Sequence, residues 1–142
     1  MEELQELRTF IEQGRYPEAL TLLEKMEEMS YSDKLHKIES FMQILLLHLI
    51  KQQAEKRSTR SWEYSIRNAV RAIERSNKRR KAGGYYLSAA ELSDAADEVF
   101  QDALERAALE AFGGVYSAPE LAEMVDEAQI KEQTLRMILE AQ

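Results

Sequence analysis

The chain is expected to be all-α, a compact bundle of five or six helices, and three observations lead there. Gly and Pro are scarce, five and two in 142 residues, which leaves little material for turns and long loops. Apolar residues recur at three- and four-residue spacing along most of the chain, the period of one helix face. Strict apolar and polar alternation, the mark of a half-buried strand, is found nowhere. A hydrophobic share of 44% and a charged share of 32% are ordinary for a folded soluble protein, and the length permits a real core. The simplest division is one domain over residues 1–142, with a hairpin at 1–30, core helices at 31–114 and a C-terminal helix at 115–142.

The first helix is read from Leu4, Leu7, Phe10 and Ile11, and Gly14 sits where a residue of positive φ ends such a helix. Pro17 suits the first turn of the second, where its missing N–H would be unpaired anyway. Ala19, Leu20, Leu22, Leu23 and Met26 then face a partner. The stretch Gly14 to Leu20 resembles a tetratricopeptide-type turn, but one unit cannot make a repeat protein.

A third helix is expected to start near Ser32 or Asp33 and run to about 56. Leu35, Ile38, Met42, Leu45 and Leu49 form its stripe, and Phe41, Ile44, Leu46, Leu47 and Ile50 widen it nearly all round. A helix of that kind belongs at the centre of a bundle. A fourth helix is placed at about 61–81, capped by Ser61 and ended by Gly83 and Gly84, with Tyr85, Tyr86 and Leu87 as an apolar connection. Ser88 and Glu91 have the spacing of a capping box that opens an Ala-rich fifth helix, stopped by Gly113 and Gly114. Ser117 and Glu120, with Pro119, repeat the pattern before a last helix. Its polar stretch from Asp126 to Thr134 leaves room for a break.

Composition narrows the function classes. There is no Cys, hence no disulfide, thiolate metal site or Cys nucleophile. The start, acidic and amphipathic, is unlike a secretory signal. The apolar run Phe41 to Ile50 is about half a membrane span and contains Gln43 and His48. A cytoplasmic protein with no membrane insertion is expected.

Charge is strongly segregated. Between Lys51 and Lys81 there are 11 Lys and Arg against 3 Glu, net +8, while the rest holds 8 basic and 23 acidic residues, net −15. On a helical wheel Trp62, Ile66, Ala69, Val70 and Ile73 share the core side of the fourth helix. Arg67, Arg71, Arg75 and Lys78 share the other, with Tyr64 and Arg60. The basic face, extended by Arg79 and Arg80, is the candidate interaction surface. It is either a solvated face, or it complements acids such as Glu91, Asp94, Glu98, Asp102 and Glu105 of the fifth helix, in the same fold or a second copy, or it meets a phosphate backbone.

Enzyme chemistry has no positive signal. His36 and His48 lie on different faces of a helix, and neither H-E-x-x-H nor the E-x-x-H of di-iron bundles is present. His48 is read as a core residue hydrogen-bonded to a neighbour and His36 as a surface residue. The pairs Glu27 with Glu28 and Asp94 with Asp97 and Glu98 fall on expected solvent faces rather than a cleft. No P-loop, dinucleotide fingerprint or G-x-S-x-G occurs. No cofactor or metal is expected.

His48-Leu49-Ile50-Lys51, then Arg60-Ser61-Trp62 and Ile66-Arg67, resembles domain-of-unknown-function family twenty-nine, small bacterial proteins frequent in cyanobacteria. Asn77-Lys78, Gly83 to Leu87 and Ala107 to Ala111 are similar to one subgroup. The resemblance spans roughly residues 12–114. It departs where many members carry an aromatic and this chain has Gln52-Gln53. It implies an all-helical domain and brings no activity, cofactor or catalytic residue; His48, Lys51, Ser61, Trp62 and Ile66 stand as a candidate structural motif. The expected function is a non-enzymatic protein-interaction or regulatory module that self-associates, with a nucleic-acid or polyanion binder as the alternative.

Overall fold

Where the sequence places Gly or Pro, the chain turns, and elsewhere it is almost continuously helical. The computed structural model describes residues 2–79 and 82–142, and of residues 27–30 the backbone alone. These form α1 (Glu2–Glu12), α2 (Tyr16–Glu55), α3 (Arg60–Asn77), α4 (Ala89–Glu110), α5 (Ala118–Ala122) and α6 (Glu127–Ala141), with a 3-10 turn at Ala111–Gly114. The described residues include no strand, only an antiparallel bridge between Lys78 and Tyr85. The expected all-α class and helix number are as observed. The contacts divide the chain into two compact units, Met1–Lys34 and Leu35–Gln142, and the boundary lies within α2.

In the first unit Gly14 takes φ +70°, and the N–H of Arg15 returns to the carbonyl of Phe10 at 2.8 Å, closing the end of α1. Pro17 occupies the first turn of α2 as expected. Ala19 is buried and Leu7, Phe10, Leu22 and Met26 are half-buried, so the inner side of the hairpin is apolar. The guanidinium of Arg15 lies 4.8 Å from the Phe10 ring centre. Phe10, Pro17, Thr21 and Leu22 line a shallow groove of about 420 Å³.

The expected helix start near Ser32 and Asp33 is corrected by α2, which runs unbroken from Tyr16 to Glu55. Between Glu18 and Glu55 there is neither Gly nor Pro. A Ser or Asp in a helix interior costs only about 0.5 kcal/mol relative to the best residues, too little to break a helix alone. The two serine and aspartate positions that suggested a cap are simply carried through.

In the second unit the end of α2 has the central character expected of it. No residue from Phe41 to Glu55 is exposed, and Ile38, Met42, Leu45, Leu46 and Ile50 are fully buried. Each such side chain contributes about 1.5–3 kcal/mol by leaving water. The small residues Ala95, Ala96, Ala103, Ala107 and Ala108 are buried along α4, which lies against α5, α6 and the 3-10 turn, while α3 lies against α6. Both expected capping boxes form, Ser88 with Glu91 and Ser117 with Glu120.

Three boundaries differ from expectation. The cap of α3 is Thr59 rather than Ser61: its backbone is extended, and its hydroxyl accepts the Trp62 N–H at 3.1 Å. Lys56, at φ +54°, makes the preceding turn, so the chain re-enters helix two residues earlier than Ser61 suggests. Second, α3 ends at Asn77 rather than near 81. The Asn77 side chain is fully buried, accepts the Leu87 N–H at 2.7 Å and donates to the Leu87 carbonyl at 3.2 Å. Third, the break for which the polar stretch left room falls before that stretch rather than within it, so the last helix is two helices, α5 and α6. The Asp126 side chain accepts the Gln129 N–H and caps α6, and Thr134 is buried with its hydroxyl donating to the Ile130 carbonyl at 2.8 Å.

Candidate functional site

The stripe on α3 is built by spacing alone. Arg60, Tyr64, Arg67, Arg71 and Arg75 recur at three and four residues and fall within about 80° of arc. All five are exposed, Tyr64 at 61%, and Lys78 and Arg79 beyond the helix end are exposed as well. Arg80 lies outside the described residues. Glu63 and Glu74 flank one edge of the stripe. Opposite it, Ile66, Ala69, Val70 and Ile73 are buried, so the two-faced reading of this helix is as observed.

The acids of α4 do not neutralise the stripe. Among the described residues, Arg67, Arg71, Arg75 and Lys78 make no ion pair, nor do Asp94, Glu98, Asp102 and Glu105. The internal version of the expected charge pairing is therefore corrected. The acidic row of α4 runs along exposed turns while α3 packs on α6, so the two charged rows do not meet. One α4 carboxylate, Asp97, is used elsewhere: Lys131 lies 2.8 Å from Asp97 and from Glu127. Burial works against the Lys131 charge, but the bonds to Asp97 and Glu127 outweigh it and raise its pKa.

The motif residues cluster at the end of α2. Lys51 is only 5% exposed; its ammonium lies 2.8 Å from the Glu110 carboxylate and 4.8 Å from the Trp62 ring centre. Arg57 sits 4.8 Å from the same ring, so two cations bracket the indole. Trp62 is thus half-buried among cations rather than a core anchor, because its turn of α3 meets the charged end of α2 instead of the bundle interior. Ile66, one turn further, is the member of the motif that reaches the core, and Ser61 is exposed. His48 is half-buried, with Nδ1 2.8 Å from the Ile44 carbonyl one turn earlier, the neighbour bond expected of it. His36 is exposed.

Glu55 is a member of this cluster that spacing did not single out. Its carboxylate accepts the Phe112 N–H at 3.1 Å and the Arg57 Nε–H at 2.8 Å. Burial opposes its ionisation, yet the Phe112 N–H, Arg57 and the Lys51 charge together hold its carboxyl below the usual glutamate range. The two non-glycine residues of positive φ among those described are Lys56, the next residue in the chain, and Phe112, whose N–H this carboxylate accepts. The signal that could have found Glu55 is its place four residues after Lys51, one helical turn away.

The glutamines standing where an aromatic was noted also act structurally. Gln53 accepts the Asp126 N–H and donates to Gln129 at 3.1 Å, and Gln52 donates to Ser58 at 2.7 Å. Every buried side-chain polar atom among the described residues has a partner. Those residues include no group of three or more His, Asp and Glu placed to hold a metal ion. No helix among them is long and apolar enough to cross a membrane.

No curated protein and no solved structure matches the chain. A family model, described as domain of unknown function DUF29, matches residues 18–132, which take in the motif cluster, the basic stripe and α4. With most of its length matched by that model, the chain belongs to the DUF29 family.

Proposed function

We propose that the protein is a non-enzymatic interaction module that self-associates through the basic stripe of α3. The observation that carries this reading is that Arg67, Arg71, Arg75 and Lys78 are exposed and unneutralised in a chain of net charge −7. Holding several like charges in one row is unfavourable unless a complementary surface meets them. The rest of the same chain supplies an excess of carboxylates, so a second copy is a ready source of that surface. The motif cluster supports the module rather than its chemistry: Lys51 with Glu110 and Trp62, and Glu55 with Arg57 and the Phe112 N–H, tie together the ends of α2, α3 and α4. Light scattering across a salt series tests the reading. Association at low salt that weakens as salt rises is expected, and a monomer throughout at tens of micromolar overturns it.

A second reading, a nucleic-acid or polyanion binder, draws support from Tyr64. An exposed aromatic among arginines can stack on a base while the guanidinium groups hold phosphates. Gel shifts with mixed DNA and RNA at low salt decide it. Binding that falls steeply with salt and with Arg67→Glu plus Arg71→Glu supports it, and no shift at low salt removes it.

A further inference from the structure

Self-association leaves open which carboxylates the stripe meets, and the N-terminal hairpin is the better counterpart than α4. The acidic face of α4, through Asp94, Glu98, Asp102 and Glu105, carries its one open apolar side chain, Leu109, at the helix end rather than at the centre of the charged row. Exposed ion pairs alone contribute about 0–1 kcal/mol each, and stable interfaces need an apolar centre with a polar rim. The hairpin has both. Tyr16, Leu20 and Leu23 recur at four and three residues along α2 and stay open to solvent, Tyr16 and Leu20 at 61% each. Leu4 and Ile11 are likewise open on α1, of which no residue is buried.

The charge of this apolar surface is of the required sign. From Met1 to Lys34 there are nine Asp and Glu against four Lys and Arg, net −5. Glu12 and Glu24 are exposed and make no ion pair among the described residues, whereas Glu18 is engaged by Arg15 at 3.6 Å. The α3 stripe offers what such a surface can bury. Tyr and Arg are the residues that dominate binding energy at interfaces. Arginine stems cover apolar side chains while their heads reach carboxylates. From Arg60 to Arg75 the stripe runs about 22 Å, four turns of helix, against two turns of open apolar surface from Tyr16 to Leu23.

We infer that the hairpin of one copy docks on the α3 stripe of a second copy, apolar Tyr16, Leu20 and Leu23 against Tyr64 and the arginine stems, with Glu12 and Glu24 meeting arginines. Reciprocal exchange, each copy giving a hairpin and receiving one, is the form of this contact that closes at two. This rests on the self-association proposed above and specifies its surfaces.

The test uses the full-length chain in two charge-reversed forms, Arg67→Glu with Arg71→Glu, and Glu12→Lys with Glu24→Lys. Each alone places like charges in both contacts, and its dimer dissociation constant should rise at least tenfold over that of the unaltered chain. Mixed in equal amounts, the two forms restore both attractive contacts and should give a one-to-one heterodimer by light scattering. Leu20→Ser, at an exposed position, should weaken the unaltered dimer, and Glu98→Lys with Asp102→Lys should leave it unchanged. A mixture that stays monomeric overturns the hairpin assignment. So does a dimer weakened by the α4 substitutions but indifferent to Leu20→Ser, and in that case self-association itself stands. An unaltered chain that is monomeric at every salt concentration ends both proposals, and a dimer that resists salt yet yields to Leu20→Ser ends only the purely electrostatic account.

Discussion

Truncating Glu110 should cost more stability than removing the buried lysine it serves. Lys51 is 5% exposed, and its ammonium has one carboxylate at 2.8 Å and one ring face at 4.8 Å. Glu110→Ala leaves that cation in place with the indole and, without a direct bond, the Glu55 charge. The lost charge-assisted bond and the stranded charge together cost about 2–3 kcal/mol, below the range for a fully buried pair because Glu110 is itself half-exposed. Lys51→Met keeps the stem volume and removes the need for a counter-ion. Its cost is the cation–π contact, about 1 kcal/mol, since Glu110 is then free to hydrate. The double substitution should match Lys51→Met alone, giving a coupling as large as the Glu110→Ala cost itself, about 2–3 kcal/mol. Urea unfolding followed by the fluorescence of Trp62, the only Trp, reads the event beside the pair. With a slope of about 2 kcal/mol per molar urea, Glu110→Ala should lower the midpoint by about 1 M and Lys51→Met by about 0.5 M. Additive effects, or a larger loss from Lys51→Met, would refute the argument that the pair exists to neutralise a buried cation.

Glu55→Ala should destabilise by about 2 kcal/mol by orphaning the Phe112 N–H and Arg57, and it should flatten the acid limb of the stability curve. The folded carboxyl titrates below its unfolded value near 4.5, so its contribution is full above that pH and is lost as pH falls through the folded value. Urea midpoints from pH 6 down to pH 3 should therefore converge for the two chains. Thr59→Ala should cost about 1 kcal/mol while Ser61→Ala stays within about 0.5, and the reverse order in thermal unfolding would return the cap to Ser61. Gly114→Ala should cost more than about 1 kcal/mol, because φ is +80° and the added Cβ would lie 2.9 Å from the Leu109 carbonyl oxygen. A Tm unchanged by that substitution would contradict the turn.

What could be read from the sequence was local. Ser88 with Glu91 and Ser117 with Glu120 make their bonds within one turn, so the pattern is the structure. The α3 stripe was legible for the same reason, since helical spacing alone sets which residues share a face. Depth was not legible. The wheel puts Trp62 on the inner side of α3, but the cations that bracket it come from α2 and from the turn at Arg57. Nor was Glu55, whose partner Phe112 lies 57 residues away. The third helix was started too late because Ser32 and Asp33 serve as caps only where the backbone before them leaves the helix, and here it does not. Whether the charged rows of α3 and α4 met each other depended on which helices pack, and no single segment encodes that.

The amide of Asn77 does the work of a peptide group. By accepting from the Leu87 N–H and donating to its carbonyl, the side chain mimics one rung of a sheet, and the Tyr86 N–H adds a second link to the Asn77 carbonyl at 2.8 Å. The described ends of the connection are therefore tied together, the Arg79 N–H donating to the Gly84 carbonyl at 3.0 Å as well, and Leu87 is buried. Length and composition beyond the knot are decoupled from the register of α3 and α4. That makes the exposed Ala82–Gly83 stretch a place where the protein can accept an inserted peptide tag without the bundle having to be repacked.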